Sequence, residues 1–269
     1  MKKIVLTGAA GRIGSVIRAH FDAHERPLWL TDIRPCAAIG PKETSQIGDL
    51  GDAAFVRQLL TGADTVIHMA GIPDDRPLAD LIGPNFLALN QLYATAQELG
   101  VRRVIYASSN HTIGMYPVGK KIDTQVAVNP DGDYGASKVW GEALGRMYWE
   151  KHGIETVCLR IGSFVERPVS VRHLSTWQSY ADFCLLLDAS LIAPTLGFEI
   201  VYGVSANTRA WWDNSSSRVP YRPQDNAENF AQEILRNAAP IDPIEARFQG
   251  GDFAARYFSR SDKPDVAAQ

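Results

Sequence analysis

The chain has 269 residues, 45% of them hydrophobic and 21% charged, with a formal net charge of -3. That composition supports one large α/β domain with a substantial core and argues against disorder. Without a long basic run, nucleic-acid binding has little electrostatic support, and no apolar run approaches the roughly 20 residues of a membrane helix.

The opening Met1-Lys2-Lys3 and the apolar run behind it superficially mimic a signal peptide. The run breaks at Gly8 and no cleavage-like segment follows, so the mature protein is expected to start here, in the cytoplasm. Cys36, Cys158 and Cys184 are scattered, form no CxxC pair and read as reduced, mostly buried thiols.

Residues 3–7 form a β-branched apolar run that predicts a strand. Helical spacing follows over 14–24, and a second strand over 28–31 ends at Asp32. A further strand is expected before Asp49, then a helix over 53–60 and a strand over 65–69. Phe86, Leu89, Leu92, Tyr93 and Ala96 predict a helix over 84–99, with Gly100 where it would stop. A strand over 104–107, a helix over 137–150 and a strand over 156–161 continue the alternation.

This pattern predicts a Rossmann-type α/β fold, a doubly wound parallel sheet covered on both faces. Beyond 161 the alternation weakens. Residues 165–179 are loop-rich, 180–189 look helical, 200–204 strand-like and 226–237 helical. Residues 1–162, completed by part of 238–258, read as the Rossmann region. Residues 163–237 read as a small C-terminal substrate-binding subdomain of the same structural unit. The last dozen residues are polar and expected to be loose.

The first strand runs into Gly8-Ala9-Ala10-Gly11-Arg12-Ile13-Gly14. Glycines at this spacing let the chain turn sharply, approach a pyrophosphate and pack a helix against the strand. The helix then offers free N–H groups and a positive dipole end to the phosphates. A glycine triplet alone is weak evidence; its place after a strand and before a helix makes it a dinucleotide loop. Asp32 lies about 20 residues on, where a carboxylate accepts hydrogen bonds from the ribose hydroxyls of NAD and repels the extra phosphate of NADP. NAD is therefore the expected cofactor, with Arg12 and Arg34 as the nearby groups that would bind that phosphate instead. Asp49, followed by Leu50, reads either as an adenine contact or as a helix cap before Ala53.

Tyr134 and Lys138, in Tyr134-Gly135-Ala136-Ser137-Lys138, share one helical face. A tyrosine that titrates near pH ~10 is a poor base at neutral pH. A neighbouring ammonium and an oxidised nicotinamide both favour the phenolate, so a lowered pKa is expected for Tyr134. Lys138 can also hold the nicotinamide ribose. The Tyr-x-x-x-Lys spacing is common by chance, but behind a dinucleotide loop it reads as a catalytic pair. Upstream, Ala107-Ser108-Ser109-Asn110-His111 ends a strand. A hydroxyl at the carboxyl end of a parallel strand points into the cofactor crevice, so Ser109 is expected to align the reacting oxygen with Tyr134. Ser108 reads as a loop serine bonded to backbone. No metal site is expected.

Together these pieces resemble the extended branch of the short-chain dehydrogenase/reductase family, over essentially the whole chain. A narrower resemblance lies in Ala107-Ser108-Ser109-Asn110-His111-Thr112-Ile113-Gly114, Arg160-Ile161-Gly162-Ser163 and Leu174-Ser175-Thr176-Trp177. It continues in Ser205-Ala206-Asn207, Trp211-Trp212-Asp213-Asn214 and Arg247-Phe248-Gln249-Gly250-Gly251. In this order the segments look like those of bacterial uronate dehydrogenases. That resemblance implies oxidation of a cyclic hexuronic acid, galacturonate or glucuronate, at C1 to an aldaric acid lactone, with NADH as the other product. It places cofactor contacts at Gly8, Gly11, Arg12, Ile13, Gly14, Asp32, Ile33, Asp49, Leu50, Ala70, Gly71, Tyr134, Lys138 and Ile161. It implies that Tyr134 takes the anomeric proton, that Ser109, Asn110, His111 and Ser163 touch substrate, and that Arg172 pairs with the substrate carboxylate. A homo-oligomer is expected.

One position departs from the pattern. Bacterial uronate dehydrogenases carry a serine after the Gly-Ile that ends the fourth strand, whereas Pro73 follows Gly71-Ile72 here and offers no donor. Trp211 and Trp212 read either as pocket lining or as a packed aromatic corner. A nucleotide-sugar epimerase or dehydratase would usually have a longer substrate region. A cofactor-sensing regulator would not need Ser109, Tyr134 and Lys138 together.

Overall fold

The computed structural model describes residues 2–36 and 40–260. β1 (Lys3–Thr7) leads into α1 (Arg12–Ala23), whose Gly14, Ile17 and Phe21 turn inward at helical spacing. β2 (Leu28–Asp32) and β3 (Glu43–Ile47) follow on one side of β1. α2 (Ala53–Leu60) is capped by Asp52, which accepts from the Ala54 and Phe55 N–H groups, and it returns the chain to β4 (Ala63–His68). α3 (Leu78–Leu81) passes through a widened π turn, Ile82–Leu87, into α4 (Ala88–Glu98). β5 (Arg103–Ser109), α5 (Asp133–His152) and β6 (Glu155–Ile161) continue the run, and Gly153, at φ 72°, closes α5.

Past β6, the two-residue strands β7 (Ser163–Phe164) and β8 (Trp177–Gln178) pair with each other, with the one-turn α6 (His173–Thr176) between them in sequence. α7 (Tyr180–Ile192) and β9 (Phe198–Gly203) follow. The described residues then carry three short helices, α8 (Ala231–Arg236), α9 (Pro243–Arg247) and α10 (Asp252–Ala255).

The main sheet has the order β3-β2-β1-β4-β5-β6-β9, and every neighbouring pair is parallel. Successive residues alternate between its faces, as the pleat requires. Val5, Val66 and Val104 pack under α2, α4 and α5, while Leu6, Ile67 and Ile105 pack under α1 and α7. This is the doubly wound arrangement expected from the alternation of elements.

Some differences are local. The helix expected over 84–99 is present to Glu98, but its start is a widened turn around Pro84, which has no N–H to give to the ladder, and that turn buries Asn85. The helix expected over 226–237 starts as a 3-10 turn, Ala227–Phe230, because the Asn226 side chain accepts from the Glu228 N–H. Two elements of the stretch read as a substrate subdomain, α7 and β9, belong to the main sheet and its cover. Of the dozen terminal residues expected to be loose, 261–269 lie outside the described residues. Among the described residues no helix is long and apolar enough to cross a membrane.

Candidate active site

The sheet reverses direction of growth between β1 and β4, and a crevice opens at the carboxyl ends of those strands. It holds a cavity of about 640 Å³. One wall is the glycine loop. Gly8 sits at φ 72°, and a Cβ there would stand 2.7 Å from the Ala70 nitrogen. A Cβ on Gly14 would stand 2.3 Å from the Gly8 carbonyl oxygen, so α1 begins pressed against the loop. Gly11 caps α1 without a side-chain bond, which leaves the first-turn N–H groups for an anion.

Asp32 is fixed by two backbone donors. Its Oδ2 accepts from the Ala10 N–H at 3.0 Å and its Oδ1 from the Arg34 N–H at 3.1 Å. Arg34 keeps its guanidinium at 3.8 Å from that carboxylate, and Arg12 donates weakly to the Phe164 carbonyl at 3.5 Å. Asp49 is not the cap of α2: Asp52 fills that role, and the Asp49 carboxylate accepts from the Gly51 N–H at 2.8 Å. All the residues placed on the cofactor side, from Gly8 to Ile161, line this cavity, and Pro73 lines it as well.

Tyr134 and Lys138 lie one turn apart on α5, and Ser109 ends β5 beside them. The Ser109 hydroxyl stands beside the Tyr134 phenol, on which it acts in the direction that favours the phenolate, and accepts from the His111 N–H at 3.2 Å. The start of α5 is held by Asp75, which accepts from the Tyr134 N–H at 3.0 Å. A Cβ on Gly132 would stand 2.5 Å from that carboxylate. Asn85 ties the 71–73 loop to α5. It accepts from the Ile72 N–H at 2.8 Å, and its amide donates at 3.1 Å to both the Ile72 carbonyl and the Ser137 hydroxyl.

Burial pushes the Tyr134 phenol up to about 12 and the Lys138 ammonium down to about 8. The lowering expected for Tyr134 is overridden by desolvation; the Ser109 hydroxyl works in the lowering direction and the Asp131 charge against it. Ser108 is neither catalytic nor a backbone-bonded loop serine. Its hydroxyl donates to Glu142 at 2.6 Å, and Glu142 is held by the buried Arg160 through bonds of 2.9 and 2.8 Å.

On the far side of the crevice, His111 Nδ1 lies 2.7 Å from Asp131 Oδ2, and its ring stacks on Phe253 at 4.0 Å. Its ring centroid is 5.8 Å from that of Tyr134. Asp131 is fully enclosed, and a Cβ on Gly114 or Gly250 would come within 1.9 Å of its Oδ2. Arg172 donates from Nε to the Gln249 carbonyl at 2.9 Å, from Nη1 to Ser163 Oγ at 3.1 Å and from Nη2 to Asn110 Oδ1 at 3.3 Å. All three acceptors are neutral. Among the described residues no carboxylate pairs with Arg172, and each terminal nitrogen keeps one N–H to give. Burial lowers its pKa without removing the charge.

Asn110 and His111 line the cavity, whereas Ser163 and Arg172 stand behind Asn110. Trp211 and Trp212 form the packed corner, with Trp212 stacked on Tyr202 at 5.5 Å and bonded through Nε1 to the buried Gln249 at 2.8 Å. Asp75, Asn85, Asp131 and Phe253 carry no local signal that marks them in the sequence. Gln249 falls in a segment singled out for its resemblance, but its bonds were not foreseeable from it.

The NAD dependent epimerase/dehydratase family pattern matches residues 4–166. The uronate dehydrogenase of Pseudomonas putida is 40% identical over 255 residues, covering 94% of this chain and 95% of that protein. The uronate dehydrogenase of Agrobacterium fabrum is 43% identical over 256 residues, covering 94% and 97%. A crystal structure of a mutant uronate dehydrogenase from Agrobacterium tumefaciens complexed with NAD superposes with a TM-score of 0.90, at 41% identity, covering 95% of this chain and 97% of that one. The chain therefore belongs to the NAD dependent epimerase/dehydratase family and, within it, to the uronate dehydrogenases.

Proposed function

We propose that the chain oxidises a hexuronic acid, D-galacturonate or D-glucuronate, at C1 to the aldaric acid lactone, using NAD. The observation that carries this reading is the meeting of two arrangements in one crevice. Ser109, Tyr134 and Lys138 stand at the mouth of a glycine-built dinucleotide cradle, and Asn110, which lines the same cavity, is backed by Arg172, with which no carboxylate pairs among the described residues. The cradle fits NAD: the glycine loop is drawn so close to its own backbone that no side chain fits at Gly8 or Gly14, and the Asp32 carboxylate is already oriented for a ribose diol.

When bound, NAD supplies the acceptor for the C1 hydride. The chain does the rest. Tyr134 Oη takes the proton of the anomeric hydroxyl as the C1–O bond becomes a carbonyl. Ser109 Oγ, beside that phenol at the end of β5, holds the reacting oxygen in line. The Lys138 ammonium offsets the negative charge that forms on Tyr134. Asn110, His111 and Ser163 meet sugar hydroxyls, and the two remaining terminal N–H groups of Arg172 match the substrate carboxylate. The segments 163–179 and 205–258 make the substrate side. We also propose self-association and a cytoplasmic setting. The exposed Leu78, Ile82, Leu87 and Trp140 on the α3–α5 flank support the first, and three free thiols accord with the second.

The test is reduced-cofactor formation from a panel of uronic acids, neutral aldoses and nucleotide sugars, with NAD and with NADP. Uronates with NAD are expected to dominate. Turnover of nucleotide sugars would overturn the substrate, and equal efficiency with NADP would make Arg12 or Arg34 a phosphate ligand.

A further inference from the structure

Lys138 is an unusual cation. It is buried, and among the described residues it makes neither an ion pair nor a hydrogen bond. What faces it instead is aromatic. Its ammonium lies 5.1 Å from the centre of the Tyr106 ring and 5.6 Å from that of Tyr134. Tyr106 reaches this place because Gly141, three residues beyond Lys138 on α5, has no side chain. A Cβ on Gly141 would stand 2.2 Å from the Tyr106 hydroxyl oxygen. On β4, the strand beside it, His68 stacks on Tyr106 at an interplanar angle of 15° and is its register partner.

We propose that Tyr106 is a positioning residue for Lys138: its ring face, seated against Gly141, holds the ammonium beside Tyr134 without a counter-carboxylate. This rests on the reading of Lys138 as the charge that supports Tyr134. A carboxylate in the same place would hold the lysine equally well, but it would cancel the field that Tyr134 needs. The quadrupole of an aromatic face attracts the cation and leaves its charge uncancelled.

The other titratable groups around the pair agree. His68, from β4, is kept neutral by burial and by the Lys138 charge, and its Nδ1 is engaged with the Thr7 hydroxyl at 2.8 Å. Burial pushes the Tyr106 phenol far up, so it offers no anion. Cys158 on β6, beside Tyr106 in register, is likewise pushed up and protonated. Glu142 on α5 is committed to Arg160 and Ser108. Asp131 acts on Tyr134 from the His111 side.

The test varies the ring face at constant shape. Tyr106→Phe keeps the face and is expected to leave the alkaline limb of kcat/KM where it is. Mono-, di- and trifluorinated phenylalanines at 106 keep the volume and weaken the face stepwise. The limb should move to lower pH with each fluorine, by roughly half to one unit over the series. The Lys138 pKa, read by NMR in the protein without cofactor, should fall in the same order. A limb and a lysine titration that stay flat along the series would overturn the proposal. So would Tyr106→Phe alone shifting the limb as far as the trifluorinated ring does. Lys138→Gln separates the two layers of the argument. If the limb survives in that variant, the reading of Lys138 fails. If it vanishes there but stays fixed along the fluorinated series, only Tyr106 loses its role.

Discussion

The cofactor side and the substrate side of the crevice rest on different kinds of support. The cofactor side is backbone work. Gly8 and Gly14 give the loop its shape by what they lack, and Asp32 is aimed by the N–H groups of Ala10 and Arg34. The substrate side is side-chain work across long gaps. Arg172 is fixed by Gln249, 77 positions away, and by Asn110, 62 positions away, while Gln249 is fixed by Pro117 and Lys120, 132 and 129 positions away. A backbone-built site tolerates most side-chain changes except at its glycines and its one carboxylate. A side-chain lattice spreads any change to its neighbours. The cofactor half should therefore survive mutations that disable the substrate half.

The sharpest way to break that comparison lies where the two halves meet. Tyr134→Phe removes one hydroxyl and keeps the ring that packs against His111 and Phe253. Turnover should fall by roughly 10²–10⁴-fold, the range typical of a general base. NAD affinity, measured by calorimetry, should stay close to that of the parent chain. If both fall together, the halves are not separable and Tyr134 is holding the crevice together.

Arg172→Ala comes next. It removes a charge that meets only neutral acceptors and frees Ser163, Asn110 and the Gln249 carbonyl at once. The kcat/KM for galacturonate and glucuronate should drop by about 2–4 kcal/mol if a carboxylate pairs there. Arg172→Lys should recover only part, because a point charge does not reproduce the planar fork. Activity on galactose and glucose should change little. An equal loss on acids and neutral sugars would make Arg172 a strut of the lattice and move the carboxylate site elsewhere.

The same contrast explains what could be read in advance. The glycine loop, Asp32 and the Tyr134–Lys138 pair are local patterns, each contained in one strand–turn–helix unit or one helical turn, and alternation of elements fixed the parallel sheet. The substrate side has no such period. His111 was placed by resemblance, but its partner Asp131 stands 20 positions away in a loop, and nothing in its neighbours marks it as a buried acceptor. Asn85 was hidden by Pro84, since a helical pattern does not announce a π turn. The phenol of Tyr134 was expected low and lies high, because the sequence shows the neighbouring lysine but not the depth of burial.

The smallest expected effect concerns acid, and it again sets one half against the other, because each holds a protonation-silent histidine. His68 on β4 is pushed down to about 3 by burial and then by the Lys138 charge. His173 on α6 is pushed down to about 4 by burial and then by its neighbour Arg172. The unfolded value is about 6.5. Above that pH neither state binds the proton and the full stability is present. Below it the unfolded chain takes up protons that the folded chain refuses, so stability falls as pH drops toward the folded values. Each histidine contributes a slope of at most about 1.4 kcal/mol per pH unit in that window. Asp64, held at about 2, adds a term of the same sign only below its own ordinary range. His68 is deeply buried and His173 only half-buried, so the first should carry the steeper share. Urea unfolding between pH 7 and pH 4.5 gives the slopes. His173→Gln can still accept from the Val169 N–H that now meets Nδ1 at 3.1 Å, so it should flatten the profile without lowering stability at pH 7. His68→Gln should flatten it more. Hydrogen exchange at pH 5 then shows which half opens first. Protection should be lost around α6 before β4, since α6 is tied down by side chains and β4 by two parallel neighbours in the sheet. Slopes that stay the same in both variants would mean that the acid sensitivity lies in the carboxylates, and loss of β4 protection first would reverse the ranking of the two halves.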